Sequence, residues 1–124
     1  MLLFPWIPPV VARLALLLAI LAITTLALMP VSTVPITTWW DKLDHGLAFI
    51  TLALLADHAF PRQSFWRRLA PWLLAYGVAI ELAQWLTPDR DLSVLDVLAD
   101  GIGIVSYGVL RRLAIFFYRL EPSG

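Results

Sequence analysis

The sequence predicts an all-α integral membrane bundle of about four transmembrane helices, with both termini on the cytoplasmic side. Three observations lead there: a shortage of charge, four apolar runs of near-spanning length, and an uneven distribution of arginine between the two ends of those runs. Of the 124 residues, 60% are hydrophobic and 15% charged, and the mean hydropathy is +0.82. A soluble domain carries about 25% charged residues, because its surface must face water. The length suits one domain, 1–124, and not two. Net charge is zero, which gives no reason to expect a nucleic-acid partner. Cysteine is absent, so disulfides, thiol nucleophiles and thiolate-bound metals are excluded.

A helix needs about 20 mostly apolar residues to cross the hydrocarbon core. The first run, 10–29, is interrupted only by Arg13, which lies close enough to one end to snorkel, and Pro30 and Pro35 follow it. Residues 1–12 lack a basic n-region before Arg13, and Ala27-Leu28-Met29-Pro30 is a poor cleavage site. The run therefore reads as a retained span and not as a signal sequence. The second span covers about 43–60, the third about 69–87, and the fourth starts near 93, stays mainly apolar to 110 and extends along the interface to about 118.

Four spans place Arg13, Arg62, Arg67, Arg68, Arg111, Arg112 and Arg119 on one side and only Lys42 and Arg90 on the other. Basic residues are retained in the cytoplasm, so the arginine-rich side faces inward and segments 30–42 and 88–92 face outward. Aromatic residues fit interfacial belts, with Trp39, Trp40 and Trp85 outside and Trp66, Trp72 and Phe116 to Tyr118 inside.

That topology gathers the polar residues at the outer end. Asp41, Lys42, Asp44 and His45 enter the second helix there, Glu81 and Gln84 end the third, Asp89, Arg90 and Asp91 form the loop, and Asp96 and Asp100 begin the fourth. Gly77, Glu81 and Gln84 share one helical stripe, as do Asp96, Asp100, Gly103 and Tyr107. A stripe joining glycine to carboxylates suits a face packed on another helix. Ionisable groups within a span need partners or water, and they mark candidate functional sites. Plainer roles are also open. Ser93-Val94-Leu95-Asp96 has the form of a capping box, Glu81 could pair with Lys42 or Arg90, His45 could sit wet at the interface, and Asp57-His58 reads as an inner helix end.

The order Asp41-Lys42-x-x-His45, Gly77-x-x-x-Glu81-x-x-Gln84 and Pro88-x-Arg90-x-x-Ser93-x-x-Asp96-x-x-x-Asp100-x-x-Gly103 resembles the VanZ-like family of small bacterial membrane proteins. The resemblance covers residues 41–108. Where that family commonly has Asn, this chain has Asp100. The resemblance implies a bacterial cytoplasmic-membrane protein with a role in the cell envelope, through a link to teicoplanin resistance, and implies no particular reaction.

Two functions follow as expectations. In the first, the outer cluster binds or acts on an envelope lipid or cell-wall precursor. Glu81, His45 and Asp96 are then the candidate catalytic residues, since burial suits carboxyl and imidazole groups to acid–base work. Asp41, Lys42, Gln84, Arg90 and Asp100 are the candidate substrate-binding residues, with Lys42 and Arg90 holding an anionic headgroup. In the second, the same residues lock helix register in a non-catalytic accessory protein that meets a membrane-protein partner or a second copy of itself. Transport ranks third, because four short unbroken helices argue against it. No cofactor is expected, and one histidine among carboxylates is a weak metal signal.

Overall fold

The structure, a computed structural model, describes residues 2–29, 38–88 and 91–121, and for 38–41 the backbone alone. Among the described residues four α-helices follow one another: α1 Pro9–Leu28, α2 Thr38–Ala59, α3 Ala70–Trp85 and α4 Val94–Leu120. No strand occurs among the described residues.

Proline sets several boundaries. At the start of α1, Pro8 is extended and Pro9 occupies the first turn, where its missing N–H costs nothing. At the other end Met29 is extended, as the residue before a proline prefers to be. α2 ends just before Pro61 for the same reason. It begins at Thr38, five residues before the expected start at 43. The reading by apolar run stopped where charge began, but Asp41 and Lys42 lie inside the helix, and Lys42 reaches a carboxylate on α4.

α3 is entered through a π-helical turn, Phe65–Leu69, that the sequence reading did not anticipate. The N–H groups of Leu69 and Ala70 bond to the carbonyls of Ser64 and Phe65, five residues back. Pro71, which has no N–H to return to the preceding turn, follows directly. α4 is a single 27-residue helix that runs on through Arg111 and Arg112 to Leu120, close to the expected end near 118.

α2 is the central element and packs on both α1 and α4. Phe49, Leu52, Ala53 and Ala56 of α2 meet Ala12 and Leu16 of α1, Leu73 of α3, and Ile104 and Tyr107 of α4. Glycine lets α4 come close. A Cβ at Gly103 would run into the Gly46 carbonyl, and one at Gly108 into the rings of Trp66 and Phe65. Helices meeting through small residues gain dispersion contacts along their backbones.

Outside this core, large apolar side chains are exposed on every helix, among them Leu18 (66%), Leu47 (52%), Trp72 (75%) and Ile102 (67%). Among the described residues one helix, α1, is long and apolar enough to cross a membrane by length and composition. α3 has 16 residues, and α2 and α4 carry Asp and basic residues.

Candidate polar site at one end of the bundle

The early start of α2 puts Lys42 and His45 on one face, and that face meets the acidic stripe of α4. Lys42 Nζ pairs with Asp96 Oδ1. His45 Nδ1 donates to Asp100 Oδ1 at 2.8 Å, and its Nε2 lies 3.8 Å from Asp96 Oδ2. The imidazole thus sits between two carboxylates, one contacted directly and one at ion-pair distance. Asp100 is 2% exposed, whereas the side chains of Lys42 and His45 keep 34% and 18% of their surface. Gly77 makes room for this arrangement, since a Cβ there would stand 2.7 Å from Asp100 Oδ2. The glycine of the α3 stripe is therefore the seat of the α4 carboxylate.

Glu81 joins the same region by a different route. One of its oxygens accepts the backbone N–H of Ser93, the N-cap residue of α4. In a capping box that N–H goes to the acid three residues on, which here is Asp96. Ser93 Oγ does accept the Asp96 N–H, at 3.3 Å, but the reciprocal half of the box comes from Glu81 on another helix. Asp96 is thereby released to meet Lys42 and His45. The reading of Asp96 as a plain cap is corrected to this extent.

Gln84 faces away from these groups. Its Nε2 donates to the carbonyl of Ala27 at 2.9 Å and ties α3 to the end of α1. About two turns below, the Tyr76 hydroxyl lies 2.6 Å from Thr24 Oγ1 and donates to the Ile20 carbonyl at 3.3 Å. Asp44 is exposed, and the side chain of Asp41 and the whole of Asp89 and Arg90 lie outside the described residues, as do the side chains of Trp39 and Trp40. Of the other expected aromatic belt residues, Trp85, Trp66, Trp72, Phe116, Phe117 and Tyr118 are all exposed. Among the described residues no group of three His, Asp or Glu side chains is arranged to hold a metal ion.

A second polar cluster lies at the opposite end. Asp57, 1% exposed, accepts from the Tyr107 hydroxyl and from Arg111 Nε through the same oxygen, both at 2.7 Å. His58 gives Nδ1–H to the Leu54 carbonyl at 2.8 Å and accepts the Phe4 N–H on Nε2 at 3.0 Å. Both residues lie in the last turn of α2, as expected, and each also bonds to a distant part of the chain. The signal was present in part, because Arg111 extends the stripe of Asp100, Gly103 and Tyr107 by four residues, but nothing in the spacing linked it to Asp57.

The described residues form an all-helical bundle with acids, a histidine and a lysine converging at one end, large apolar side chains exposed on every helix, and one helix, α1, long and apolar enough to cross a membrane. The sequence profile of the VanZ/LLP1 family matches residues 3–115, nearly the whole chain. The chain belongs to that family. No curated relative and no solved structure matches it.

Proposed function

We propose that all four helices cross the bacterial cytoplasmic membrane as one domain, with both termini inside, and that the His45 cluster faces the outer leaflet. There it binds or acts on the headgroup of an envelope lipid or cell-wall precursor. Support for four spans comes from where the charges sit. Apart from Arg112, the acids and bases described on α2 and α4 lie near helix ends or in pairs, which is how ionisable groups are tolerated in a bilayer. Large apolar side chains are exposed on all four helices, and contiguous apolar surface of that kind marks contact with lipid or a partner.

The observation that favours a chemical role is the imidazole held between Asp96 and Asp100 beside Lys42, at a partly exposed end of the bundle. Asp100 orients the ring, and Asp96 can take or return a proton through it. Lys42, with Arg90 of the adjoining loop, offers positive charge to a phosphate, and the acids offer proton acceptors to a hydroxyl or water. A link to glycopeptide resistance is the corresponding phenotype. The test is His45→Gln, Asp100→Asn and Arg90→Lys, assayed for envelope integrity and glycopeptide susceptibility together with membrane abundance and thermal stability. The expected result is loss of phenotype at unchanged abundance, including for Arg90→Lys, because lysine cannot make a two-point phosphate contact. Full function in His45→Gln at normal abundance would reject the proton-handling role.

A second reading has its own support. Every buried side-chain nitrogen or oxygen among the described residues has a hydrogen-bond partner, and Glu81 and Gln84 are spent on backbone groups of other helices. An accessory protein whose polar cluster is a helix lock would show this pattern. In that case function and folded protein fall together in the same variants.

A further inference from the structure

Two cavities adjoin at the arginine-rich end, away from the His45 cluster, and share Phe60 and Gln63 in their walls. The first, about 460 Å³, is bordered by Arg13 and Arg62. The second, about 450 Å³, runs between α1 and α3 along Leu16, Ile20, Leu73 and Tyr76, floored by Ala56 of α2, with Arg68 and Trp72 toward its outer rim. Both volumes fall in the range of about 300–1,000 Å³ typical of small-molecule sites. Tyr76, one of the residues lining the apolar slot, bonds Thr24 and the Ile20 carbonyl and joins the two helices. From Leu69 to Tyr76 the slot descends roughly 10 Å at the helical rise per residue.

The charges around this pair of cavities lack acidic partners. Among the described residues Arg62 and Arg68 form no ion pair, and Arg13 gives Nε–H to the Ala59 carbonyl at 2.9 Å while its guanidinium lies over the Phe60 ring. Two guanidinium groups, of Arg13 and Arg62, therefore border the first compartment, and a third, of Arg68, borders the apolar slot that adjoins it. A free anion would satisfy the arginines and leave the slot empty, and a neutral lipid would fill the slot and leave the arginines unmet. An amphiphile with a negative head meets both.

We infer that this end of the bundle binds a single anionic phospholipid, its phosphate among Arg13, Arg62 and Arg68 and one acyl chain between α1 and α3. Basic pockets between membrane helices recognise anionic headgroups in this manner, and guanidinium groups grip phosphate in two-point contacts. The site is separate from the His45 cluster, so the two readings stand or fall independently.

The test uses the full chain, purified in non-ionic detergent and stripped of lipid. Binding of phosphatidylglycerol, of phosphatidylcholine with the same chains, and of glycerol phosphate is measured by native mass spectrometry. One equivalent of phosphatidylglycerol is expected, held roughly tenfold or more above phosphatidylcholine, as one charged hydrogen bond would give. The double variant Arg62→Gln, Arg68→Gln alters exposed side chains, so it should fold normally and lose that preference. Ile20→Trp should fill the slot and weaken both lipids. Equal retention of the two lipids by the wild-type protein would overturn the inference. So would an unchanged preference in the double variant, and glycerol phosphate binding as tightly as phosphatidylglycerol would show a soluble anion site instead.

Discussion

Asp57 shows how much can rest on one side chain. It is fully buried and neutralises Arg111 while accepting from Tyr107. Asp57→Ala would leave a guanidinium and a hydroxyl without their acceptor, and breaking a buried pair in this way costs about 3–5 kcal/mol. Tyr107→Phe removes one hydrogen bond and should cost about 1 kcal/mol. Thermal unfolding in detergent would rank them, and a smaller loss from Asp57→Ala than from Tyr107→Phe would contradict the geometry. Glycines make a second pair of cases. Gly103→Ala drives a methyl group into the Gly46 backbone, whereas Gly101→Ala meets only a Leu74 methyl at 3.9 Å. The first should reduce folded protein and the second should be neutral or mildly stabilising, since alanine favours helix over glycine. The stripe of Asp96, Asp100, Gly103 and Tyr107 was legible because helical periodicity is local. The partners it meets were less so, because Asp57 and Tyr107 are 50 residues apart in the chain and no spacing rule joins them.

At the level of helices, the start of α4 depends on α3. Ser93→Ala removes a side-chain cap and should cost about 1 kcal/mol. Glu81→Gln keeps an oxygen that can accept the Ser93 N–H and should preserve stability, while Glu81→Ala leaves that N–H unmet and should cost about 1–3 kcal/mol. Stability in detergent checks the series, and equal losses in Gln and Ala variants would mean that the charge of Glu81 matters more than its acceptor. Existence and order of the four helices were readable from the four apolar runs, the first of them ended by Pro30. Two boundaries were not. Charge hid the first turn of α2, since Lys42 reads as loop until its partner Asp96 is in place, and the π-helical turn before Pro71 has no periodic signature of its own.

For the molecule as a whole, orientation is the consequence most open to test. The chain has no cysteine, so single cysteines report cleanly. Ser64→Cys and Glu121→Cys should be protected from an impermeant thiol reagent on intact cells, and Leu92→Cys should be labelled, because seven of nine basic residues lie on the side of Ser64. The reverse pattern would place the His45 cluster inside. The convergence of that cluster on one end was legible from topology and arginine bias together. The division of labour within it was not, because which acid caps α4 and which meets His45 depends on side-chain reach across three helices.

The contact of Gly46 with Gly103 has a mechanical consequence. α2 and α4 touch backbone to backbone there, with the Lys42 and His45 pairs above and the Asp57–Arg111 pair below. Two rods pressed together at one point and clipped on both sides can neither slide nor scissor, so they move as one rigid body. α3 is held to α1 by uncharged hydrogen bonds from Gln84 and Tyr76. α3 is nevertheless clipped to α4 by the Glu81 bond to the Ser93 N–H, and α1 to α2 by Arg13 on the Ala59 carbonyl, so the α2–α4 frame carries the other two helices with it.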